Sequence, residues 1–384
     1  MENFEFYNPV KILFGRGQIR NLAREIPAET KVLMTYGGGS IKANGVYEKV
    51  KAALARHPLV EFPGIEPNPR YETLMRAVEL ARREKAGFLL AVGGGSVLDG
   101  AKFIAAAVPF EGEPWNIVAK GARLRSALPL GAVLTLPATG SEMNTFAVIS
   151  RDETREKLAF GSPLLYPKFS VLDPETTFTL PPRQIANGVV DAFAHVMEQY
   201  LTYPANGALQ DRMAEGILLT LIEEGPKTLA APADYEARAN VMWCATMALN
   251  GLIGCGVPAD WSTHMIGHEI TALHGLDHAR TLAIVLPSLM GVKRENKRTK
   301  LLQYAARVWG LTSGSEEERI EAAIERTRQF FESLGVPTRL SAYGIGDGTA
   351  DAVAGRLEKR GMVALGERQD ITPAQVREIL ARSA

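Results

Sequence analysis

Two groups of carboxylate and imidazole side chains have the types and the spacing of a metal site. Asp191 and His195 lie four residues apart, so on a helix both side chains leave the same face, one turn from each other. Four of the six histidines in the chain fall between His264 and His278. One carboxylate with several imidazoles is an ordinary ligand mixture for zinc or ferrous iron. Three or four protein ligands would leave a coordination position open for a substrate.

The surroundings of Asp191 favour a bound cation over a purely structural role. Its neighbours along the chain include Val190 and Phe193, and an ionised carboxylate in such an apolar setting is costly without a charged partner. For any single histidine a hydrogen-bonded place in the core is the simpler interpretation, and Asp191 alone could cap a helix. The set as a whole indicates a divalent metal ion.

A second candidate site is a glycine loop between a strand-like and a helix-like segment. Gly93-Gly94-Gly95-Ser96 follows the apolar segment 88–92 and precedes the helical segment 100–107. Glycines let backbone N–H groups approach an anion that a Cβ atom would block, and the following helix presents its positive end. The natural ligand is a pyrophosphate. The pattern differs from the Gly-x-Gly-x-x-Gly fingerprint and also suits a tight turn without a ligand.

An earlier glycine loop, Gly37-Gly38-Gly39-Ser40, bears on the choice of dinucleotide. It ends a neighbouring strand-like segment, where enzymes that use unphosphorylated NAD commonly place an acid on the adenosine ribose. No Asp or Glu occurs between positions 35 and 46, and Lys42 and Arg16 are available as counter-charges. A 2′-phosphate therefore has room, and the loop predicts NADP(H). A glycine-rich turn with no selective role remains the alternative.

The segment 132–144 is rich in hydroxyl groups, as suits a loop that contacts sugar or phosphate. Ser141 and Glu142 could equally open a helix as capping residues. Lys157, which follows a charged run, has the sequence context of a solvated hairpin residue, and periodicity alone does not decide its role.

The first half of the chain alternates strand-like segments (9–14, 31–35 and 88–92) with helix-like ones (18–26, 47–56 and 71–84). This alternation predicts a parallel sheet with crossover helices. Strand signals stop at Pro181-Pro182, and helical segments follow at 183–201, 210–223, 235–253, 261–273, 300–308 and 315–334, with shorter ones near Ala350 and Pro373. We therefore predict an α/β nucleotide-binding domain with a mostly parallel sheet over residues 1–181, followed by an all-α metal-binding catalytic domain over residues 182–384.

Composition narrows the class of protein. The 384 residues are 46% hydrophobic and 22% charged, an ordinary globular mixture. Lys plus Arg and Asp plus Glu both number 43, which argues against nucleic acid or a membrane surface as the main partner. No apolar run approaches ~18 residues and the N-terminus has no signal-peptide pattern, so we expect a cytoplasmic protein. Cys244 and Cys255 are expected to be packed thiols in a reducing compartment.

Taken together, these motifs resemble the iron-containing, or group III, alcohol dehydrogenases. The resemblance covers nearly the whole chain, from Phe14-Gly15 through the segments 66–69, 93–99, 139–142 and 191–195 to His264-x3-His268-x9-His278. The match is closest to the NADP-dependent butanol dehydrogenase and broad-specificity aldehyde reductase branch, because of the segment Tyr36-Gly-Gly-Gly-Ser40.

The resemblance implies roles for particular residues. The metal ligands of the family, which hold Fe²⁺ or Zn²⁺, fall at Asp191, His195, His264 and His278. His268 becomes the candidate for proton transfer, while His274 is not assigned as a ligand. The dinucleotide site maps onto Gly37, Gly38, Gly39, Ser40, Asn68, Gly94, Gly95, Ser96, Asp99, Thr135, Thr139, Asn144 and Lys157. Asn144 stands where many members carry Thr, so its contact with the cofactor is less firmly implied. A homodimer is implied too, with the edge strand near residues 9–14 as its candidate interface.

The activity implied by the resemblance is a metal-dependent, NADPH-linked interconversion of aliphatic aldehydes and primary alcohols. Two enzymatic alternatives share the scaffold: an NAD-dependent, glycerol-type polyol dehydrogenase, and a dehydroquinate synthase-like lyase. The lyase would be expected to line its metal site with Lys and Arg, whereas the segments beside these ligands are mostly apolar. A metal-binding protein without enzymatic activity would leave both glycine loops unexplained.

Overall fold

The computed structural model describes residues 1–346 and 348–384. The chain divides into a sheet unit, Tyr7–Leu180 with Pro232–Thr246, and a helical unit, Met1–Phe6 with Pro181–Ala231 and Met247–Ala384. The chain first passes from the sheet unit to the helical unit between Leu180 and Pro181. A single boundary at 181/182 would place residues 1–6 in the sheet unit and residues 232–246 in the helical unit. In the structure, residues 1–6 belong to the helical unit and residues 232–246 belong to the sheet unit.

The sheet unit is organised around one parallel sheet. In the described residues this sheet has six strands in the order β1-β8-β5-β4-β2-β3, and β6 and β7 form a separate antiparallel hairpin. The strands are β1 Lys11–Phe14, β2 Val32–Tyr36, β3 Leu59–Phe62, β4 Phe88–Gly94, β5 Leu130–Leu136, β6 Phe146–Arg151, β7 Glu156–Gly161 and β8 Phe169–Leu172.

Both faces of the sheet are buried, which explains the continuous apolar runs in its central strands. Leu89 and Ala91 of β4 pack into one core cluster, while Leu90 and Val92 pack into the cluster on the opposite face. This alternation follows from the two-residue period of a strand. Because β2, β4 and β5 are parallel neighbours, their carboxyl ends lie along one edge of the sheet.

Helices connect the strands of the sheet unit and make up the rest of the chain. They are α1 Leu22–Glu25, α2 Ser40–Ala43, α3 Val46–Ala53, α4 Tyr71–Glu84, α5 Gly95–Ala107, α6 Trp115–Ala119, α7 Pro182–Tyr200, α8 Ala208–Ala230, α9 Tyr235–Ala248, α10 Ser262–His274, α11 His278–Val292, α12 Arg298–Arg307, α13 Glu316–Ser333, α14 Thr349–Lys359 and α15 Pro373–Ala381. Short 3-10 helices lie at Gln18–Asn21, Ser141–Met143, Pro163–Leu165, Pro174–Thr177 and Ser341–Tyr343.

The helical unit packs around α7, which is buried continuously from Ile185 to Tyr200. The helices α8 and α11 pack against α7, and α10 packs against α11. Within α10, Gly267 permits the close approach of α11, because an added Cβ atom would lie 2.8 Å from Thr281 Oγ1 and 3.2 Å from a methyl carbon of Leu282.

The predicted fold class, an α/β domain with a parallel sheet followed by a helical region, is confirmed. The structure also contains elements that the sequence analysis did not predict. The helix α5 begins at Gly95, whereas Gly93 and Gly94 belong to β4. The strands β3 and β8 and the helices α6 and α11 had not been predicted, and α11 contains Pro287. Among the described residues, no helix has the length and apolar character needed to cross a membrane.

Candidate functional site

The helix α7 presents two of the expected metal ligands from one face. Asp191 Oδ1 lies 3.9 Å from His195 Nδ1, as their spacing of one turn predicts, and both side chains are buried. Burial lowers the pKa of His195 to about 4, so its imidazole is neutral at pH 7 and has a lone pair to donate. Among the described residues, Nδ1 of His195 has no hydrogen-bond partner.

The helices α10 and α11 bring the other histidines to the same place. The ring centroid of His264 lies 4.7 Å from that of His195 and 5.2 Å from that of His278. His278 is the first residue of α11, and its Nε2 lies 3.7 Å from Asp191 Oδ1. His268 lies beside both rings, with centroids 5.1 Å from His278 and 6.3 Å from His264.

These residues fit a divalent cation. Asp191, His195 and His264 each offer a ligand atom, and the three atoms lie within 4.8 Å of one another. His278 is outside that group, and its side chain is 22% exposed against 5% for Asp191. One carboxylate and neutral imidazoles are the donors that zinc and ferrous iron accept. His274 lies apart from them at the exposed end of α10, where its Nε2 is 3.0 Å from Thr349 Oγ1.

Glu198 is a further member of this site that the sequence prediction missed. Its carboxylate is fully buried, contacts Nδ1 of His264, and accepts hydrogen bonds from the backbone N–H groups of Thr263 (2.6 Å) and His264 (3.3 Å). It therefore caps the first turn of α10. Because it contacts Nδ1, the Nε2 atom of the His264 ring points away from the Glu198 carboxylate. Burial and the nearby Asp260 raise the pKa of Glu198 to about 8, while the hydrogen bonds from Thr263 and His264 favour the ionised carboxylate, as would a cation bound beside His264. Its position seven residues after Asp191, two turns along one helix face, was the available signal.

In the sheet unit, the second glycine loop joins β4 directly to α5. A Cβ atom on Gly95 would lie 2.6 Å from Thr139 Cγ2, and one on Gly94 would lie 2.9 Å from Leu136 Cβ. Glycine is therefore required for the loop to pack against the segment that follows β5. Ser96, in the first turn of α5, accepts a hydrogen bond from the backbone N–H of Asn68 at 3.3 Å, and Asn68 has a left-handed φ of 54°.

The first glycine loop follows β2, next to β4 in the sheet. Gly37 and Gly38 have ordinary φ values, whereas Gly39 has a φ of 108° and precedes Ser40, the first residue of α2. Of the two proposed counter-charges, Lys42 lies on α2 with its Nζ 4.9 Å from the ring centroid of Tyr47. Arg16 donates to Glu175 and stacks on Tyr235, so it already has partners.

Asp99, Thr139 and Asn144 belong to one buried network centred on Lys102. Asp99 accepts from the hydroxyl of Ser141 at 2.7 Å and from the backbone N–H of Val148 at 2.9 Å. Lys102 donates to Ser141 Oγ and Asn144 Oδ1. Thr139 Oγ1 accepts from the backbone N–H of Ser141. Both oxygens of Asp99 thus hold the loop 139–148 together, and burial lowers the pKa of Lys102 to about 8.

The sequence prediction missed Lys102, although it stands three residues after Asp99 on the same helix face. Thr135 is buried in β5. Lys157 lies on β7 of the hairpin and is also buried, at 7% exposure, so the interpretation of this lysine as a solvated hairpin residue is wrong.

Residues 9–174 match the family model described as iron-containing alcohol dehydrogenase, and residues 185–384 match the model described as the C-terminal part of that family. The chain belongs to the iron-containing alcohol dehydrogenase family. Among curated members, the NADPH-dependent aldehyde reductase YqhD of Escherichia coli is 61% identical over 375 residues, which are 97% of this chain and 97% of that protein.

A family member that is named for NADH is also similar to this chain. The NADH-dependent butanol dehydrogenase B of Clostridium acetobutylicum is 40% identical over 389 residues, with both chains covered completely. Among solved structures, the crystal structure of E. coli YqhD has a TM-score of 0.99 at 59% identity and covers 100% of this chain and 99% of that one.

Proposed function

We propose that this alcohol dehydrogenase family member is a metal-dependent, NADPH-linked aldehyde reductase that interconverts aliphatic aldehydes and primary alcohols. The observation that carries the proposal is the group of Asp191, His195 and His264, whose ligand atoms lie within 4.8 Å of one another in a buried setting. The 61% identity to an NADPH-dependent aldehyde reductase over almost the full length of both chains supports the same activity.

Within this proposal, Asp191, His195, His264 and His278 hold the divalent ion, which is Fe²⁺ or Zn²⁺. When bound, the ion supplies a Lewis acid that polarises the aldehyde carbonyl. Glu198 orients the His264 ring through Nδ1. The low pKa of His195 keeps its ring neutral, as a ligand must be.

His268 is the proposed proton donor, because its ring lies beside His264 and His278 without belonging to the proposed ligand set. When an aldehyde accepts a hydride, negative charge develops on its oxygen and a proton must follow. An imidazole is the side chain whose ordinary pKa suits proton transfer near pH 7. We expect His268→Gln to lower kcat while metal content stays at the wild-type level. A metal-loaded variant with wild-type kcat would exclude this role.

The proposed dinucleotide site is built from the two glycine loops and their neighbours. Backbone N–H groups at the start of α5, in the segment of Gly94, Gly95 and Ser96, suit the pyrophosphate. The remaining proposed contacts are Gly37, Gly38, Gly39, Ser40, Asn68, Thr135, Thr139, Asn144 and Lys157. The hydrogen bonds of Asp99 give it a supporting role within this site, since both of its oxygens accept from loop 139–148.

The specific preference for NADP(H) is proposed from the loop 37–40. A 2′-phosphate at this position meets no acidic residue of the loop, and Lys42 supplies the positive charge. We expect Lys42→Ala to raise KM for NADPH about tenfold, a loss of roughly 1.4 kcal/mol, and to leave KM for NADH unchanged. An equal change with both cofactors would mean that Lys42 does not contact the phosphate.

The activity is tested by measuring NADPH consumption with butanal, using protein of known metal content. We expect one NADPH oxidised per alcohol formed, loss of turnover after chelation, and recovery on adding Fe²⁺ or Zn²⁺. Absence of turnover in the metal-loaded protein with a panel of short and long aliphatic aldehydes would overturn the proposal. His264→Ala serves as the matched variant that should lose both metal and activity.

We further propose a cytoplasmic homodimer. Both cysteines are buried, as suits packed thiols in a reducing compartment. The strand β1 is an edge of the main sheet, and Phe14 at its end lies edge-on to Trp243, with both rings more than a third exposed. Unpaired edges favour pairing with another chain. Light scattering should give a dimer mass, and Ile12→Pro should give a monomer. A dimeric Ile12→Pro variant would exclude this edge.

A further inference from the structure

Among the four proposed metal ligands, His278 has the most exposed side chain. It opens α11 directly after the connector Gly275-Leu276-Asp277, which begins with the left-handed Gly275 at the end of α10. Its side chain is 22% exposed, and it does not belong to the group of three ligand atoms that lie within 4.8 Å of one another. The contacts of its neighbour Asp277 therefore bear on the position of His278 against α7.

Asp277, the residue before His278, is fastened to α7 by two hydrogen bonds. Its Oδ2 accepts from Asn187 Nδ2 at 2.8 Å and from Arg183 Nε at 2.8 Å. Arg280 Nε lies 3.8 Å from the same oxygen. Three positively polarised groups thus converge on one carboxylate oxygen.

Asn187 stands one turn before Asp191 on α7, and Asp191 stands one turn before His195. These three residues share a helix face, so the element that carries two of the ligands also anchors the connector that carries a third. Asn187 is buried, at 7% exposure, which makes its hydrogen bond to a carboxylate stronger than one at the surface.

The contacts of Asp277 are also unlike ordinary capping. It is the residue before the first turn of α11, but its side chain makes no hydrogen bond to the backbone of that helix. Its backbone carbonyl accepts from the N–H groups of Arg280 and Thr281 instead. The carboxylate therefore accepts hydrogen bonds from side chains of α7 and not from the backbone N–H groups at the start of α11.

We propose that Asp277 is a positioning residue that holds His278 in the metal ligand set, with Asn187 and Arg183 as its anchors on α7. The proposal rests on the metal-dependent function above and adds a residue that sets metal affinity without touching the ion. Residues of this kind typically alter metal affinity by about 10- to 100-fold when they are removed.

The test measures the Kd for Zn²⁺ by competition with a chromophoric chelator, using the full chain. We expect Asp277→Ala to raise that Kd about 10- to 100-fold and Asp277→Asn, which keeps one acceptor oxygen, to raise it less. In a chain that already carries His278→Ala, Asp277→Ala should raise Kd by less than twofold further, because Asp277 acts only through His278.

Asp351→Ala is the matched control. Asp351 also accepts a hydrogen bond from an arginine Nε at 2.8 Å in the same unit, but on the exposed surface of α14. Its Kd for Zn²⁺ should equal that of the wild type. The apo forms of all variants are compared by thermal unfolding, so that a general loss of folding is recognised.

Three outcomes overturn the proposal: a Kd for Asp277→Ala within twofold of the wild type, an effect that remains undiminished in the His278→Ala chain, or an equal effect from Asp351→Ala. Failure of the proposed function has a different signature. In that case the wild-type chain itself takes up no divalent ion at the Asp191 site.

Discussion

Replacing Glu198 by Gln tests whether the ligand geometry is set by a residue that does not bind the metal. In the structure the carboxylate accepts from the backbone N–H groups of Thr263 and His264 and contacts Nδ1 of His264, which is the N–H donor when Nε2 is the metal ligand. A glutamine amide has only one acceptor oxygen. If that oxygen keeps the 2.6 Å bond from Thr263, the amide NH₂ group faces two other donors.

The imidazole can relieve this conflict by changing its tautomer. Nδ1 of His264 would then accept from the amide, and the ring proton would move to Nε2, where it blocks coordination. We expect the Kd for Zn²⁺ to rise about 10- to 100-fold, which corresponds to roughly 1.4–2.8 kcal/mol. The apo protein should lose only about 1 kcal/mol of stability from the weaker cap on α10.

Competition with a chromophoric chelator measures the affinity, and thermal unfolding of the chelated protein measures the stability. Glu215→Gln is the control, because Glu215 is also buried and accepts from Tyr200, Gln303 and Arg307. That control should lose stability and keep the wild-type Kd. An unchanged Kd in Glu198→Gln would refute the idea that Glu198 fixes the tautomer.

Three further predictions concern single positions, and a fourth concerns removal of the metal. Gly38→Asp adds a side chain where an added Cβ atom has no heavy atom within 4 Å, and should lower the NADPH to NADH efficiency ratio about 10- to 100-fold by charge repulsion, measured by steady-state kinetics. Lys297→Met leaves the buried carboxylates of Asp260 and Glu367 without the ammonium group that lies 2.6 and 3.0 Å from them, and should cost about 3–5 kcal/mol in denaturant unfolding. Gly267→Ala overpacks the contact of α10 with α11, and should cost about 1–3 kcal/mol in thermal unfolding and weaken Zn²⁺ binding. Removal of the metal should lower the free energy of unfolding by about 2.7 kcal/mol relative to protein at 100 times Kd, measured by calorimetry.

Each of these predictions has a result that would contradict it. Gly38→Ala should leave the cofactor ratio unchanged, so an equal shift with alanine would assign the effect to backbone and not to charge. A Lys297→Met variant as stable as the wild type would show that the two carboxylates are neutral in the folded state. A Gly267→Ala variant with unchanged stability would mean that α11 moves away at no cost. His264→Ala should show no stabilisation by metal.

The parts of the site that follow from local spacing could be predicted from the sequence. The parts that depend on contacts between segments distant in sequence could not be predicted. Asp191 and His195 share a face because four residues make one helical turn. Glu198 shares that face, but its role depends on the start of α10, some 65 residues later in the chain. Lys157 was ambiguous because neighbours along a hairpin strand do not reveal which face is covered.

The prediction of secondary-structure elements from the sequence has the same limit. The buried strand β4 and the glycine loop after it were recognisable, because five apolar residues precede three glycines. The helix α11 was not, since Pro287 inside a segment normally marks the end of a helix. Its first residue, His278, was named as a ligand from the family resemblance and lies 5.2 Å from His264 between ring centroids, while the helix that carries it was missed.

The helix α7 explains why the proposed metal site has this composition. It is buried for sixteen consecutive residues, yet it carries Asn187, Asp191, His195 and Glu198 on one face. Each polar group buried in such a helix must be matched by a partner, because an unmatched one costs free energy. Asn187 donates a hydrogen bond to Asp277 in the connector before α11, and Glu198 accepts one from the first turn of α10.

The polar residues along that face therefore have different roles. The two end residues, Asn187 and Glu198, bind the elements that carry His278 and His264, while Asp191 and His195 between them face the place where the ion would bind. Changes at the ends should therefore act on metal affinity through the two distant histidines, and their effects should be separable. If Glu198→Gln and Asp277→Ala act independently, the rise in Kd of the double variant should be the product of the two single rises. A double variant no worse than either single one would instead show that α10 and α11 move as one body, and that a single contact with α7 positions both.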